Sequence, residues 1–278
     1  MELRTRFLPK MLNCEVEAYL AQRDLIFVPV GSVEMHGGMP LACETVLSEA
    51  AALLMAQTCD GLVLSDLPYF YAGATAIGRG TTQVSVREGT AYLAAIADSL
   101  LRQGFRRQVY LSLHGPAHLT CSPMVRDFFD RTGAPALYID LMLQLDRLGR
   151  NLLEDYPGLA EKLDLLILGA YRLLGRLEEI PLTDQFAQTS PSTVAPFSPL
   201  FAAAYQSGAV GYCFGAASDH MPTLPLPDAA RREALAVQGE AALRELVRRI
   251  DPAALTAQLA ELDRFEAQVR ADYPWSAR

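Results

Sequence analysis

Short, mainly apolar runs recur along the first half of the chain, bounded by glycine, proline or polar residues. Runs of six or seven such residues predict strands that are buried on both faces of a sheet. Residues 81–86 (TTQVSV) instead alternate between polar and apolar positions, which predicts a half-buried strand. The mainly apolar runs lie at 25–30, 61–67, 108–113 and 135–141.

Longer segments without helix breakers separate these runs. Residues 45–58 are rich in alanine and leucine, and residues 87–103 end next to Gly104, where a helix can stop. Strands that alternate with helices indicate βαβ units, so we expect an α/β fold with three αβα layers and a mostly parallel central sheet. Helices are predicted at 12–22, 45–58, 87–103, 119–132, 227–249 and 252–272, with further helices inside 142–177.

The chain before the closing helices is less regular. Residues 179–198 form a polar, proline-containing connection, residues 208–215 predict a strand, and residues 216–226 predict a loop. No linker-like composition divides the chain, so we expect a single α/β domain over residues 1–278.

Charge and composition narrow the possible function classes. The net charge is −8 and no long lysine or arginine run occurs, which disfavours nucleic acid as a partner. The apolar stretch at 163–174 is too short to cross a bilayer, and residues 1–10 lack the apolar core of a signal peptide. Five cysteines without a CxxC pair indicate reduced thiols. We therefore expect a cytoplasmic protein that acts on a small molecule, with no membrane partner.

Metal-ligand side chains gather where two predicted strands end. Glu34 and His36 follow the strand at 25–30 and are two residues apart, so an extended backbone points both to the same side. Glu44 follows a turn with glycine and proline, and His114 ends a different strand. The carboxyl ends of parallel strands share one sheet edge, where these side chains can meet. Carboxylate and imidazole suit Zn, Mn or Fe, whereas the alternative is hydrogen-bonded histidines at turns.

Three segments resemble the creatininase family. Residues 28–45 (VPVGSVEMHGGMPLACET) are similar to the family signature P-x-G-S-x-E-Q-H-G-P-H-L-P-L-x-T-D. Residues 78–82 (GRGTT) are similar to its P-G-T element, and residues 106–118 (RRQVYLSLHGPAH) to its strand ending in N-G-H-G-G-N. The order and separations also agree, and the resemblance covers roughly residues 20–135.

The resemblance implies a metal-dependent amidohydrolase with one or two divalent ions per subunit. By position, Glu34 and His114 would bind one ion and His36 the other, while Glu44 stands where the family has a bridging aspartate. The remaining family ligand is a glutamate, often in an E-T-S motif that Gln188 and the next two residues resemble. Family members are commonly homo-oligomers, often hexamers, and we expect the same here.

The chain departs from the family pattern at several ligand positions. Glu44 replaces the aspartate, with one residue missing before it, and neutral Gln188 replaces the glutamate. A neutral amide is a weaker ligand for a hard cation. The second ion can therefore be weakly bound, of a different element, or missing. The histidine that follows G-P in the family is absent, since Gly38 leads directly to Met39. Creatinine itself is therefore not the expected substrate.

The implied reaction is hydrolysis of the C–N bond of a small amide, cyclic amide or formamide, and the altered site fits specialised metabolism. The leaving nitrogen needs a proton donor. The catalytic candidates are His118, four residues after His114, and His220, which Asp219 could orient. For each histidine the alternative is a surface or capping role. Two other functions stay open: ring closure with the same metals, and a metal-free binding subunit.

Overall fold

The computed structural model describes residues 3–156, 158–183 and 224–276. Its strands are β1 (Leu25–Pro29), β2 (Leu62–Val63), β3 (Arg107–Ser112) and β4 (Ala136–Asp140). Within the described ranges these strands form one parallel sheet in the order β2-β1-β3-β4. The strands that precede the candidate ligands, β1 and β3, are therefore hydrogen-bonded neighbours.

Helices cover both faces of the sheet. They are separated along the chain by loops and short 3-10 turns. The α-helices of the described residues are α1 (Asn13–Leu20), α2 (Cys43–Cys59), α3 (Val86–Gln103), α4 (His118–Thr132), α5 (Leu141–Leu148), α6 (Leu159–Leu173), α7 (Ala229–Ile250) and α8 (Pro252–Asp272).

Alternating side chains of β1 divide the core into two apolar clusters. Phe27 belongs to the cluster formed with α2 and α5 to α8, whereas Ile26 and Val28 belong to the cluster formed with α1, α3 and α4. Every residue of β1 is buried, as expected for a strand covered on both faces. These features confirm the predicted three-layer αβα fold with a mostly parallel sheet. The single-domain assignment for residues 1–278 stays a prediction.

The second predicted strand is shorter than its apolar run. Only Leu62–Val63 of residues 61–67 pairs with β1. Asp66 has a left-handed backbone conformation, with φ of 68°, and its N–H donates to Glu49 Oε1 at 3.0 Å. The left-handed residue interrupts the extended backbone, and the run contacts the chain after β1 again only where Gly31 N donates to Leu67 O at 3.0 Å.

The prediction of a strand at 81–86 is wrong, because the last residues of this segment start a helix. Ser85 caps α3: its Oγ accepts a hydrogen bond from Glu88 N at 3.2 Å, and its own N–H donates to Glu88 Oε2 at 3.0 Å. Such a reciprocal cap fixes a helix start. Thr82 contributes only an isolated antiparallel bridge to Val33.

The apolar run at 163–174 lies mostly in α6, which packs closely on α7. A Cβ atom at Gly169 would lie 2.1 Å from Glu240 N, and one at Gly239 would lie 1.7 Å from Leu165 O. The two backbones therefore touch where only glycine fits. In the part of the chain that the structure describes, no helix combines the length and the apolar character needed to cross a membrane.

A backbone bridge joins the end of the second described range, at Thr183, to the start of the third, at Leu226. Each backbone N–H donates to the carbonyl oxygen of the other at 2.9 Å, which makes an antiparallel bridge. Nearby, Asp164 Oδ2 on α6 accepts a hydrogen bond from Leu224 N at 2.7 Å. The strand predicted at 208–215 lies outside the described residues.

Candidate metal centre

The four candidate ligands of the described residues lie at the carboxyl edge of the sheet. Glu34 and His36 are in the loop after β1, and His114 follows the end of β3 by two residues. Glu44 is the second residue of α2. Because β1 and β3 are adjacent, their ends bring side chains from remote parts of the chain together.

A tight turn returns the chain from the end of β1 to the start of α2. Glu34 N donates to Leu41 O at 2.9 Å, and Met39 N donates to His36 O at 3.0 Å. Gly37 has φ of 57°, a left-handed conformation that glycine adopts without steric cost. The turn places the beginning of α2 beside the first two candidate ligands.

The side chains of Glu34, His36 and Glu44 form a buried cluster. One ligand atom from each residue lies within 4.8 Å of the other two. The exposed fraction is 2% for Glu34 and His36 and 7% for Glu44. Because carboxylates are costly to bury as ions, this cluster needs positive charge beside it.

His114 supplies positive charge from the neighbouring strand end. Its Nδ1 lies 2.6 Å from Glu44 Oε2 and 2.8 Å from Glu34 Oε1. Its Nε2 lies 2.9 Å from the carbonyl oxygen of Tyr71. A carbonyl oxygen only accepts hydrogen bonds, so Nε2 carries a hydrogen and Nδ1 is the atom directed at the carboxylates.

Burial and mutual charge perturb the pKa of each group in this contact. Burial opposes the charged form of His114, but Glu34 and Glu44 outweigh it and raise the pKa of the imidazole well above its ordinary value. Burial and the charge of Glu34 raise the pKa of Glu44 to about 7. Burial also acts to raise the pKa of Glu34, yet the charge and hydrogen bonds of His114 hold it below the ordinary range. A Glu34 carboxylate thus faces a His114 imidazolium.

Two buried hydroxyl groups complete the surroundings of the carboxylates. Ser32 Oγ lies 2.9 Å from Glu44 Oε2 and 3.2 Å from Glu34 Oε1, so its hydrogen lies between two acceptors. Thr75 Oγ1 donates to Glu34 Oε2. Both residues are almost fully buried. Hydrogen bonds of this kind orient carboxylates for metal binding.

His118 begins α4, the helix that follows the His114 loop. Its side chain is half-buried, and Nδ1 lies 2.8 Å from Gly115 O, so Nδ1 carries a hydrogen when the imidazole is neutral. The structure does not join His118 to the cluster by any described hydrogen bond. Gln188, Asp219 and His220 lie outside the described residues.

The two cysteines that flank the candidate ligands are fully buried. Burial raises the pKa of Cys43 and of Cys121, so both thiols are protonated at neutral pH. A buried, protonated thiol is a poor nucleophile and a poor metal ligand. The cluster is therefore an oxygen and nitrogen site.

Three groups that contact the ligands were not predicted from the residue pattern. Ser32 precedes Glu34 by two residues, and that spacing could have placed it on the same side of the backbone. Thr75 and the Tyr71 carbonyl lie in a loop about forty residues further along. No periodic pattern there signals the contact, because it depends on how the loop folds over the sheet edge.

The family model described as creatinine amidohydrolase matches residues 9–158, which is more than half of the chain and includes Glu34, His36, Glu44 and His114.

Solved structures share the fold at low sequence identity. A creatinine amidohydrolase (creatininase) structure superposes with a TM-score of 0.57 at 20% identity and covers 90% of this chain and 99% of that chain. A Bacteroides fragilis protein assigned as a creatinine amidohydrolase gives 0.59 at 19% identity over 94% and 98%. A structure titled as the Mn form of creatininase gives 0.57 at 20% identity over 90% and 100%.

One curated relative matches part of the chain. The 3-dehydro-scyllo-inosose hydrolase of Thermotoga maritima is 33% identical over 103 residues, which is 36% of this chain and 33% of that protein. The match thus spans a third of the length of that relative.

Proposed function

The chain belongs to the creatininase family, and from that premise we propose that it is a metal-dependent hydrolase. Its metal would be held by Glu34, His36, Glu44 and His114. The observation that carries this proposal is that the β1 loop and the start of α2 form the buried cluster of Glu34, His36 and Glu44, and that His114 at the end of β3 contacts both of its carboxylates.

The donor set fits a divalent ion. Carboxylate oxygen and imidazole nitrogen are ligands that Zn and Mn accept, and creatininase structures with this fold include a Zn-Zn form and a Mn form. The ligand atoms of Glu34, His36 and Glu44 lie within 4.8 Å of one another, which is close to the spacing that a shared ion requires. A bound ion would replace the Nδ1 proton of His114 as the positive partner of the buried carboxylates, because imidazole binds metal in its neutral form.

The surrounding residues would prepare these ligands. Because the Tyr71 carbonyl accepts from His114 Nε2, the imidazole presents Nδ1 to the cluster. Ser32 holds the carboxylates of Glu34 and Glu44 in place through its hydroxyl. The chemistry that a divalent ion supplies when bound is Lewis acidity, which activates water and polarises a carbonyl group near neutral pH.

Proton transfer is assigned to residues near the cluster. In neutral His118, the contact of Nδ1 with Gly115 O leaves Nε2 as the atom that accepts a proton. We assign His118 this role, with His220 and Asp219 as the second candidate pair. One or two ions per subunit and a homo-oligomer remain expectations from the family, and a cytoplasmic location remains an expectation from the sequence.

The first substrate class is a small amide, cyclic amide or formamide, in which water cleaves a C–N bond. The description of the matching family as creatinine amidohydrolase supports this class.

A second substrate class is a cyclic polyhydroxy ketone. It is favoured by the partial match to the Thermotoga maritima 3-dehydro-scyllo-inosose hydrolase. A carbon ring contains no C–N bond, so hydrolysis that opens it must cleave a C–C bond next to a carbonyl group. The same Lewis acidity would polarise that carbonyl.

The test of the proposed function is metal binding followed by a substrate screen. Chelator-treated protein is titrated with Zn²⁺ and with Mn²⁺, and the bound metal per subunit is measured. We expect His36→Ala and His114→Ala each to weaken binding at least about 10-fold, because each removes a ligand. His118→Ala is the matched histidine control, and we expect it to bind metal like the wild type.

Loaded protein is then incubated with lactams, formamides and cyclic polyhydroxy ketones, and products are identified by NMR. A new amine together with a carboxylate supports C–N hydrolysis, whereas a carboxylate without an amine supports ring opening at a C–C bond. We expect His118→Ala to lower turnover while metal content is retained. A wild-type protein that takes up neither metal would refute the hydrolase and favour a binding subunit.

A further inference from the structure

We propose that Thr75 is a positioning residue that holds Glu34 in its metal-binding orientation, an inference that rests on the proposed function. Thr75 lies in the 3-10 turn Gly73–Ile77 and is 3% exposed. Its Oγ1 contacts two acceptors, Glu34 Oε2 and, at 3.3 Å, Ala72 O. A hydroxyl has a single hydrogen, and an ionised carboxylate is the stronger acceptor, so the hydrogen is donated to Glu34.

The bond from Thr75 fixes the rotation of the Glu34 carboxylate. Glu34 Oε1 lies 2.8 Å from His114 Nδ1 and 3.2 Å from Ser32 Oγ, on the side of the cluster. Glu34 Oε2 is bound by Thr75 on the other side. Each oxygen therefore has its own donor, and Oε1 is kept directed at the other ligands.

Thr75 is itself held in place through the residue next to Glu34. Thr81 Oγ1 donates to Thr75 O at 3.0 Å, and Met35 N donates to Thr81 Oγ1 at 3.1 Å. The hydrogen bonds thus run from Met35 to Thr81, from Thr81 to Thr75 and from Thr75 to Glu34. Because Glu34 and Met35 are consecutive residues, these bonds close a ring. A donor supported in this way does not have to be ordered when the metal binds, and such support strengthens binding.

The same loop also orients a second ligand. The Tyr71 carbonyl, four residues before Thr75, accepts from His114 Nε2 at 2.9 Å. Displacement of this loop would therefore disturb Glu34 and His114 together. Thr75 offers the side chain by which this support can be tested without changing a ligand.

The experiment measures Zn²⁺ affinity by competition with a chromophoric chelator. Thr75→Val keeps the shape of the side chain but removes the hydroxyl, and we expect its affinity to fall about 10-fold. Thr75→Ser keeps the hydroxyl, and we expect its affinity to stay within about 3-fold of the wild type. Circular dichroism and the Tm of the chelated proteins report folding separately, and Thr75→Ala replaces the valine variant if that variant does not fold.

Thr90→Val is the matched control. The Thr90 hydroxyl donates to Val86 O at 2.8 Å within α3, away from the ligands, so its loss leaves Zn²⁺ affinity unchanged. Wild-type affinity in Thr75→Val would overturn the inference, and so would equal losses in Thr75→Val and Thr75→Ser. Absence of Zn²⁺ binding in the wild type would overturn the proposed function as well, which distinguishes the two failures.

Discussion

Asp164 is a carboxyl group with no exposed surface inside the apolar helix α6. Its Oδ2 accepts from Leu224 N, while its Oδ1 has no hydrogen-bond partner among the described residues. Burial raises the pKa of Asp164 to about 7, although the bond from Leu224 opposes the shift. The fold therefore favours the neutral acid over the carboxylate.

This shift makes stability depend on pH with a definite sign. The folded pKa of Asp164, about 7, lies above the ordinary value of 3.8. Between these values the folded protein binds more protons than the unfolded chain, so the contribution of Asp164 to the free energy of unfolding falls as pH rises. Three pKa units correspond to a loss of up to about 4 kcal/mol, completed once the pH exceeds 7.

We predict that Asp164→Asn removes this pH dependence. The amide oxygen can still accept from Leu224 N, but no charge forms, so the variant should exceed the wild type in stability at pH 8 and approach it at pH 4. Urea unfolding of chelated protein at several pH values measures the difference. The exposed Asp146→Asn serves as the control. A constant difference between Asp164→Asn and wild type at all pH values would contradict the prediction.

The residue pattern predicted which candidate ligands lie close together, but not which hydrogen bonds hold them in place. Glu34 and His36 were found from their spacing and His114 from its place at a strand end, because backbone periodicity determines both. Thr75 escaped notice since its contact depends on the path of a loop. Whether these side chains bind metal stays a prediction.

At the level of elements, the apolar runs predicted the positions of strands and helices well where burial in the core determines the structure. Strands β1, β3 and β4 occur at or within a few residues of their predicted positions, because their side chains are buried on the sheet. Local hydrogen bonds overrode periodicity elsewhere. Ser85 starts a helix where the alternating pattern predicted a strand. Asp66 bends the chain where the apolar run predicted a longer β2 strand.

The contact between α6 and α7 gives a prediction for helix packing. Gly239→Ala would place a Cβ atom 1.7 Å from Leu165 O, so the helices must separate and lose apolar contact. We expect the free energy of unfolding to fall by about 3 kcal/mol. Val237→Ala on the exposed side of α7 should change it by about 0.5 kcal/mol or less.

Urea unfolding monitored by circular dichroism measures both variants. Equal stability of Gly239→Ala and wild type would show that the helices need not touch. A loss in Val237→Ala as large as that in Gly239→Ala would instead show that α7 is sensitive to any substitution.

At the level of the whole molecule, the candidate ligands connect three parts of the fold, of which the end of β3 lies far from the other two along the chain. Glu34 and His36 belong to the β1 loop, Glu44 to α2 and His114 to the end of β3. A metal bound by all four would stabilise the native state, because the unfolded chain does not hold these residues together.

We predict that Zn²⁺ raises the Tm of chelated protein. A free concentration 100 times the Kd contributes about 2.7 kcal/mol, which corresponds to roughly 5 °C for a chain of this size. Glu44→Gln should lose most of this rise. Glu49→Gln is the control, since Glu49 is also a buried carboxylate on α2 but accepts from Asp66 N instead of contacting the cluster.

Calorimetry or thermal unfolding at matched free Zn²⁺ measures these shifts. The Tm with Zn²⁺ is compared with the Tm without Zn²⁺ for the same variant, so any loss of stability from the substitution itself cancels. An equal rise in Glu44→Gln and Glu49→Gln would remove Glu44 from the metal centre.

The αβα architecture was predictable as a whole because alternating strands and helices admit few arrangements. The order β2-β1-β3-β4 was not, since each strand is apolar enough to be central and nothing in a single strand identifies its neighbours. The crossing of α6 and α7 was equally hidden, because Gly169 and Gly239 are seventy residues apart and match only in three dimensions.

The paired backbone bonds between Thr183 and Leu226 have a consequence for how such a chain can diversify. The bridge holds these two residues together, so any stretch of chain that connects them begins and ends at the same two anchor points whatever its length. Extending a loop costs little once its ends are fixed, since the entropy of closure grows only slowly with length. Insertions and deletions between these anchors could therefore accumulate over evolution while α6 and α7 keep their packing.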